Sequence, residues 1–264
     1  MEACPPDLKP QLQKYHSRFK AYLKSFQLGK IDLRLLCFFD LVPHDFLLEF
    51  CEIRNKVTAH VFDEYERPAN YEHLKKVNKL LHKIKFQDLN LNNEACRSLL
   101  LQTSDRNNIK KLLGGPGYIN YNLFGTVTGR LSTKPGSFPV LTMKKEYRRI
   151  LKPQNDWFLS MDYNGAEART VIALMDRPQP EEDIHAWNAR TIFRQPTTRE
   201  DAKEKFFSWI YNPKSKAIQN SIYNRDALLK KYYDGEKVAT PMNRTIEVDK
   251  GRAFNYLIQS TCAD

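Results

Sequence analysis

The chain of 264 residues is poor in cysteine and glycine and has no long apolar run. Its five cysteines are scattered and none forms a Cys-x-x-Cys pair, which argues against a zinc site and against a disulfide framework. With neither a membrane-spanning stretch nor a signal peptide in the sequence, we expect a cytoplasmic protein without a membrane partner. Acidic residues are in deficit, 31 against 42 Lys and Arg, and the net charge of +11 suits a polyanionic partner.

Hydrophobic residues at helical spacing predict four amphipathic helices, over residues 10–27, 44–62, 71–86 and 250–262. The third has a lysine-rich face, and a solvated surface is the favoured interpretation of any single lysine there. In the second, Asp45 lies two residues after Pro43 and is predicted to be the helix N-cap.

Glycine and proline at residues 114–117 predict the strongest break in the chain, and we place a domain boundary there. Alternating residues beyond it predict a strand over 118–124 and a small hairpin over 238–248, whereas residues 212–237 show only a weak pattern. The sequence combines helical and strand segments, which predicts a mixed α/β fold, here of the α+β class.

Residues 157–161 are interpreted as a short buried strand that ends at Asp162. A carboxylate at a strand end can face a cleft, and its oxygens suit a hard cation such as Mg²⁺. Glu167 lies in the first turn of the helix predicted to follow, close enough to share that cleft. Taken alone, this segment is better explained by an Asp that caps the helix and a Glu favoured by the helix dipole.

A spacing of four residues places two cations and two aromatic rings on one face of another predicted helix. Because a step of four overshoots a full turn by only about 40°, the series forms a gently turning face; its members are Arg199, Lys203, Phe207 and Tyr211. Cations suit triphosphate oxygens, and the rings suit a sugar and base. An ordinary amphipathic helix is the alternative, and without further motifs it is the favoured one.

Five blocks in fixed order resemble the motifs of the family A DNA polymerases, the group of bacterial DNA polymerase I and many phage replicases. They are Thr128-Gly129-Arg130-Leu131-Ser132, Asp162-Tyr163-Asn164-Gly165-Ala166-Glu167-Ala168-Arg169, Asp183-Ile184-His185, the series from Arg199 to Tyr211, and Asn255 with Gln259. The resemblance is strong from about Gly125 to Asp264 and weak before Gly125. It makes nucleotide binding the favoured interpretation of the four-residue series.

The resemblance implies template-directed DNA synthesis with two Mg²⁺ ions, in which Asp162 and Lys203 are catalytic. Asp162 and the backbone carbonyl of Tyr163 would be metal ligands. The second carboxylate belongs, in this family, to a His-Asp-Glu segment after the Asn-x-x-x-Gln helix, and the sequence stops at Asp264 before any such segment. We therefore expect a polymerase fragment that is inactive in isolation. His44-Asp45 is similar to that segment, but it precedes Asp162 and would serve only in a circularly permuted enzyme.

The resemblance also implies a dNTP site, formed by Glu167, His185, Arg199, Lys203, Phe207 and Tyr211. Glu167 would crowd the 2′ position of the sugar and accept a hydrogen bond from Tyr211, which excludes ribonucleotides.

A second implied site lies at the primer-terminal base pair. Its residues would be Arg130, Asn255 and Gln259. They would contact the minor groove, where hydrogen-bond acceptors occupy similar places in every base pair.

The implied architecture is a right-hand polymerase. Residues 1–115 would form a helical, thumb-like region, 116–176 the first part of the palm, 177–237 reduced fingers and 238–264 a return to an incomplete palm. The expected partners are primer–template DNA and dNTP, and the protein is expected to be a monomer, in the host cytoplasm if it is phage-encoded.

Two alternatives stay open, a non-catalytic basic DNA-binding polymerase remnant and a single-subunit RNA polymerase. Glu167 argues against the latter, because an RNA enzyme must admit the 2′-hydroxyl.

Overall fold

The computed structural model describes residues 3–193, 196–218 and 220–264. Contacts divide the chain into two compact units, Met1–Pro68 and Ala69–Asp264. Helices combined with three small antiparallel sheets make this an α+β protein, which confirms the predicted fold class at that level. Within the described ranges, no helix combines the length and apolar character needed to cross a membrane.

The first unit is a helical pair with an aromatic core. Helices α1 (Lys9–Leu28) and α2 (His44–Glu64) confirm the predictions for 10–27 and 44–62, and a short 3₁₀ turn (Phe38–Leu41) lies between them. Phe46 is buried, with 1% exposure. The prediction that Asp45 caps α2 is wrong: Pro43 holds the cap position, so Asp45 lies in the first turn, where the helix dipole favours an acid.

The second unit begins with three helices, α3 (Tyr71–Lys85), α4 (Asn93–Leu101) and α5 (Thr103–Leu113). α3 confirms the helix predicted over 71–86. Ile109 of α5 packs in one core cluster with Phe138 and Ile150, which lie on the other side of the glycine-rich stretch. The break at 114–117 is therefore internal to the unit, and the contact-based division falls at Pro68 instead.

Two small sheets lie beside these helices. β1 (Asn90–Leu91) pairs with β4 (Leu151–Lys152), just after a 3₁₀ turn (Lys145–Ile150), and β2 (Tyr121–Asn122) pairs with β3 (Ser132–Thr133). The strand predicted over 118–124 is thus confirmed only over two residues.

The rest of the unit is built on five helices and a hairpin, packed on one core. They are α6 (Ala166–Leu174), α7 (Ile184–Thr191), α8 (Arg199–Tyr211), α9 (Arg225–Tyr232), the antiparallel strands β5 (Lys237–Ala239) and β6 (Thr245–Glu247), and α10 (Lys250–Ala263). The hairpin and α10 confirm the predictions for 238–248 and 250–262. α9 lies within residues 212–237, where the sequence shows only a weak pattern, and Asn224 caps it by accepting from the N–H of Ala227 (3.0 Å).

The prediction of a buried strand over 157–161 is wrong. These residues are not in a sheet, and their large side chains are in solvent: Trp157 is 84% exposed, Leu159 81% and Met161 83%. A strand needs a neighbour to bond its N–H and C=O groups, and no segment of the described ranges pairs with this one.

Candidate functional site

Gly165 determines where α6 begins. Its φ of 62° is in the left-handed region, which glycine adopts without a steric penalty. A Cβ at this position would lie 2.2 Å from Cγ2 of Ile184, the first residue of α7. Because Gly165 has no side chain, the starts of α6 and α7 approach closely, and two of the sequence motifs meet there.

Asn164 and Arg169 join those two motifs by hydrogen bonds. Asn164 donates from Nδ2 to Oδ2 of Asp183 (2.6 Å) and accepts at Oδ1 from the first backbone N–H of α7 (2.8 Å). Arg169 donates to the backbone carbonyl of Asn164 (2.9 Å) and to those of Pro180 (2.7 Å) and Glu182 (2.8 Å). Sequence reasoning placed both residues in a motif but assigned them no role. The network fixes the loop between α6 and α7.

Asp183 is both the cap of α7 and the partner of Arg199. Its carboxylate accepts from the backbone N–H groups of His185 (3.0 Å) and Ala186 (2.9 Å). Arg199 reaches the same carboxylate with Nε at 3.1 Å from Oδ1 and Nη2 at 2.9 Å from Oδ2. These hydrogen bonds from Arg199 hold the pKa of Asp183 well below its ordinary value of 3.8, and the pair raises the pKa of Arg199. The guanidinium predicted to bind triphosphate therefore already has a carboxylate partner.

α8 presents the predicted series on one face. Lys203 is exposed, and the rings of Phe207 and Tyr211 stack with centroids 6.0 Å apart and planes 12° apart. The opposite face is core, with Phe206 fully buried and Trp209 2% exposed. The buried face of the amphipathic helix and the face predicted to bind a nucleotide are thus two sides of α8. The helix ends at Tyr211, and Asn212 is its C-cap.

The side chain of His185 lies buried between α7 and α8, and the residue is 3% exposed. Its ring centroid is 6.0 Å from that of Phe207. Burial lowers the pKa of the imidazole below 6.5; Asp183 and Glu167 oppose this, and the charges of Arg199 and Lys203 add to it. The side chain is therefore neutral at neutral pH and turned away from solvent, so the predicted phosphate contact would require α7 and α8 to separate.

Glu167 faces Arg130, not Tyr211. Nη2 of Arg130 lies 3.0 Å from Oε1 of Glu167, and the Glu167 side chain is only 19% exposed. Among the hydrogen bonds of the described residues, none joins Glu167 to Tyr211, so the contact implied by the resemblance is absent in this conformation. The pair instead connects the Thr-Gly-Arg motif to α6.

Asn255 and Gln259 share a face of α10, as their spacing predicts, and both are partly buried. Oδ1 of Asn255 is buried and lacks a hydrogen-bond partner among the described residues. α10 packs on α6, where Thr170 Oγ1 and Cys262 Sγ are 3.0 Å apart. Neither Asn255 nor Gln259 hydrogen-bonds to Arg130 in the part of the chain that the structure describes.

The side chain of Arg244 lies against the turn before Arg130, a contact that the sequence did not predict. Gly129 has φ of 80°, and a Cβ there would lie 2.6 Å from the Arg244 guanidinium carbon. Arg244 donates from Nε to Asp264 Oδ1 (2.7 Å), and Thr240 donates to Oδ2 (2.6 Å). Since Asp264 is 2% exposed in its side chain, this ion pair is partly buried and fixes the hairpin against the end of α10.

Asp162 and Tyr163 stand apart from this cluster. Both are exposed, Tyr163 by 81%. Within residues 3–193, 196–218 and 220–264, no side chain donates a hydrogen bond to the Asp162 carboxylate, and no group of three or more His, Cys, Asp or Glu is arranged to hold a metal ion. The Asp162 oxygens are free to bind a cation, but a complete metal site is not assembled by the described residues alone.

The charges of Glu167, Asp183, Arg199 and Lys203 all affect the pKa of the buried His185 ring, and Phe207 and Tyr211 continue along α8. Among the described residues, no hydrogen bond, ion pair or ring contact joins Asp162, Asn255 or Gln259 to that group. Comparison with protein-family models gives no match to this chain, and comparison with curated proteins gives none.

Proposed function

We propose that the chain is part of a template-directed DNA polymerase, which transfers a nucleotidyl group from a dNTP to a primer 3′-hydroxyl. The observation that supports this best is the face of α8, where Lys203 precedes the stacked rings of Phe207 and Tyr211. Arg199, the first residue of the same helix, is paired with Asp183. The ring of Phe207 lies 6.0 Å from that of His185, whose pKa the charge of Glu167 affects. Cations followed by aromatic rings suit a triphosphate followed by a sugar and base.

In the reaction, the primer 3′-oxygen bonds to the α-phosphorus while the bond from that phosphorus to the bridging oxygen breaks. The hydroxyl proton passes to water, and pyrophosphate leaves. Arg199 and Lys203 would bind the β- and γ-phosphates, and Lys203 would hold a proton beside the leaving pyrophosphate. Glu167 would stand at the 2′ position and exclude ribonucleotides.

The exposed carboxylate of Asp162 and the carbonyl of Tyr163 are hard oxygen ligands that fit Mg²⁺. Two such ions, when bound, would activate the primer hydroxyl and stabilise charge on the pyrophosphate. One carboxylate is too few for this purpose. The proposal therefore requires a second one, from a His-Asp-Glu segment that is not represented in the 264 residues.

The domain assignment follows from the same proposal. Residues 116–176 and 238–264 would belong to the palm, 177–237 to the fingers and 1–115 to a thumb-like region. The core shared by Ile109, Phe138 and Ile150 means that the thumb-like region and the palm would be continuous at 115/116. α6 packs on α10, as two palm segments would, and α8 and α9 of the proposed fingers pack on the same core.

The proposal is tested by binding and extension assays on the 264-residue chain. It should bind primer–template DNA with an affinity that falls steeply with salt, because basic side chains release counterions from the phosphates. Primer extension should be absent, and a downstream segment bearing His-Asp-Glu, fused or added in trans, should restore it in the presence of Mg²⁺. Extension by the chain alone that is abolished by Asp45→Ala would instead indicate a permuted enzyme with its second carboxylate in α2.

A non-catalytic DNA-binding protein is the second candidate. It is favoured by the isolation of Asp162, which lies in an exposed segment outside any sheet of the described residues. Under this alternative, DNA binding persists, and no added segment confers extension.

A further inference from the structure

A basic cleft lies between helix α3 and the chain around β2, and it shares no lining residue with α8. Its volume is about 540 Å³, within the range of about 300–1,000 Å³ at which proteins enclose small ligands. One wall is the second half of α3, and the other is the extended chain that leads through β2 toward Phe124. We call this the α3–β2 cleft.

Its charge is of one sign. Four lysines line it, Lys79, Lys83, Lys85 and Lys134, and no Asp or Glu does. Within the described ranges, none of the four takes part in an ion pair. Elsewhere on α3 an acid does compensate a lysine, since Lys75 lies 3.7 Å from Glu72. A cleft lined by charges of one sign focuses their field and raises the local concentration of anions.

Aromatic side chains accompany these cations. Phe124 lines the cleft and is 71% exposed, the more exposed of the two aromatic residues of that wall. Tyr121 lies beside it, partly buried, and burial raises the pKa of its hydroxyl, so it stays neutral. On the α3 side, the exposed His82 ring lies 4.9 Å from that of Phe86. A large ring in solvent beside unpaired lysines is an arrangement suited to base stacking with phosphate contacts.

We infer that the α3–β2 cleft binds single-stranded nucleic acid. A base stacks on Phe124, and the flanking phosphates contact Lys79, Lys83 and Lys134. The cleft accommodates one or two nucleotides of a flexible strand. Sequence preference is weak, because every base has a face that can stack and the phosphates are alike.

This binding does not depend on the synthesis proposed above. It uses no residue of the α8 face and requires neither dNTP nor Mg²⁺. Measured in the absence of both, single-strand binding can succeed where primer extension fails, and it can fail where extension succeeds.

The test measures fluorescence anisotropy of a labelled oligo-dT of about 10 nucleotides, a length within the site sizes of single-strand binders, with the full chain. Phe124→Ala should weaken binding about 10-fold, as loss of one stacked base does. Phe124→Tyr, which keeps the ring, should bind like the parent. Phe158→Ala is the matched control, since Phe158 is 66% exposed and lies outside the cleft.

The contribution of lysine–phosphate contacts to binding is tested separately, with a control lysine on the same helix. Lys83→Gln should lower the slope of log affinity against log salt by about 0.7, the value for one single-strand phosphate contact. Lys76→Gln removes an equal charge from α3 outside the cleft and should change the slope less. Because Lys83 and Phe124 are exposed, both variants should melt like the parent.

Three results would overturn the inference. An abasic oligonucleotide that binds as tightly as oligo-dT would exclude stacking. A blunt duplex that competes better than the single strand at equal phosphate concentration would make the cleft a duplex contact. Equal losses of affinity for oligo-dT in Phe124→Ala and Phe158→Ala would show that the cleft is not the binding site.

Discussion

Asp183 and Arg199 are joined by two hydrogen bonds, of 3.1 and 2.9 Å, which tie the N-cap of α7 to the first residue of α8. The pair orients the two helices whose facing sides enclose His185. It also competes for the guanidinium with any phosphate that approaches α8. Nucleotide binding at this face would therefore require Arg199 to be shared or released.

Asp183→Asn should destabilise the protein by about 2 kcal/mol at neutral pH, because a charged acceptor is lost from a partly buried network. Since the pKa of Asp183 is depressed on folding, its contribution exists above the unfolded value near 3.8 and disappears as the pH falls through the lower folded value. Urea unfolding should thus show the parent and variant converging in strongly acidic solution. Asp226→Asn, at an exposed position in the first turn of α9, is the control. A stability difference independent of pH would contradict this account.

Gly165→Ala should cost about 2 kcal/mol or more, since the new Cβ would lie 2.2 Å from Ile184 at a left-handed φ. Thermal unfolding measures the loss. Gly117→Ala is the matched control, because a Cβ there meets nothing within 4 Å. If both variants melt at the same temperature, α6 and α7 are not packed as described.

Asp162→Asn, in an enzyme completed with the second carboxylate, should reduce primer extension far more than tenfold while primer–template binding stays nearly unchanged. The side chain is exposed and bonds to no other described residue, so its loss should leave folding intact. Single-turnover extension and DNA-binding titrations separate the two effects, with Asp156→Asn as the control for an exposed acid. An extension rate within tenfold of the parent would reject Asp162 as a metal ligand.

Glu167→Ala should raise the use of ribonucleotides relative to deoxynucleotides in the completed enzyme, because the side chain would no longer crowd the 2′ position. The same change also breaks the ion pair with Arg130. Arg130→Gln breaks that pair but keeps the carboxylate, so it should leave sugar selectivity as it was. Equal selectivity in Glu167→Ala and the parent would count against the proposal.

Phe207→Tyr should ease incorporation of dideoxynucleotides, since a hydroxyl at this position would substitute for the missing sugar 3′-hydroxyl. The added oxygen lies on the ring that stacks on Tyr211. Chain-termination assays with the completed enzyme measure the effect. Termination as poor as in the parent would place the sugar elsewhere along α8.

Local patterns predicted α1, α2, α3 and α10 well, because buried residues within one helix, such as Leu12 and Tyr15 of α1, repeat at helical spacing. They did not predict α4, α5 or α9. The face of α8 was predictable for the same reason. The pairing of Asp183 with Arg199 was not, since it depends on the angle between two helices. The support of Gly129 by Arg244 likewise joins residues far apart in sequence, and no local spacing encodes it.

The incorrect strand prediction at 157–161 has a physical cause. Apolar residues show what a segment would bury, but a strand forms only when another backbone bonds to it. The capping error at Asp45 is smaller. Pro43 itself takes the cap position, with a ψ of 138° that lies outside the helical region, so the helix starts at His44 and the acid falls inside its first turn.

The exposed run from Trp157 to Tyr163 also affects how the chain behaves in solution. It contains one charge and no proline, and its free backbone edge can pair with the same edge of another molecule. The net charge of +11 opposes that encounter by mutual repulsion. Added salt screens the repulsion within about 10 Å at 0.1 M while leaving the apolar attraction in place, so we expect any self-association of this protein to increase with salt.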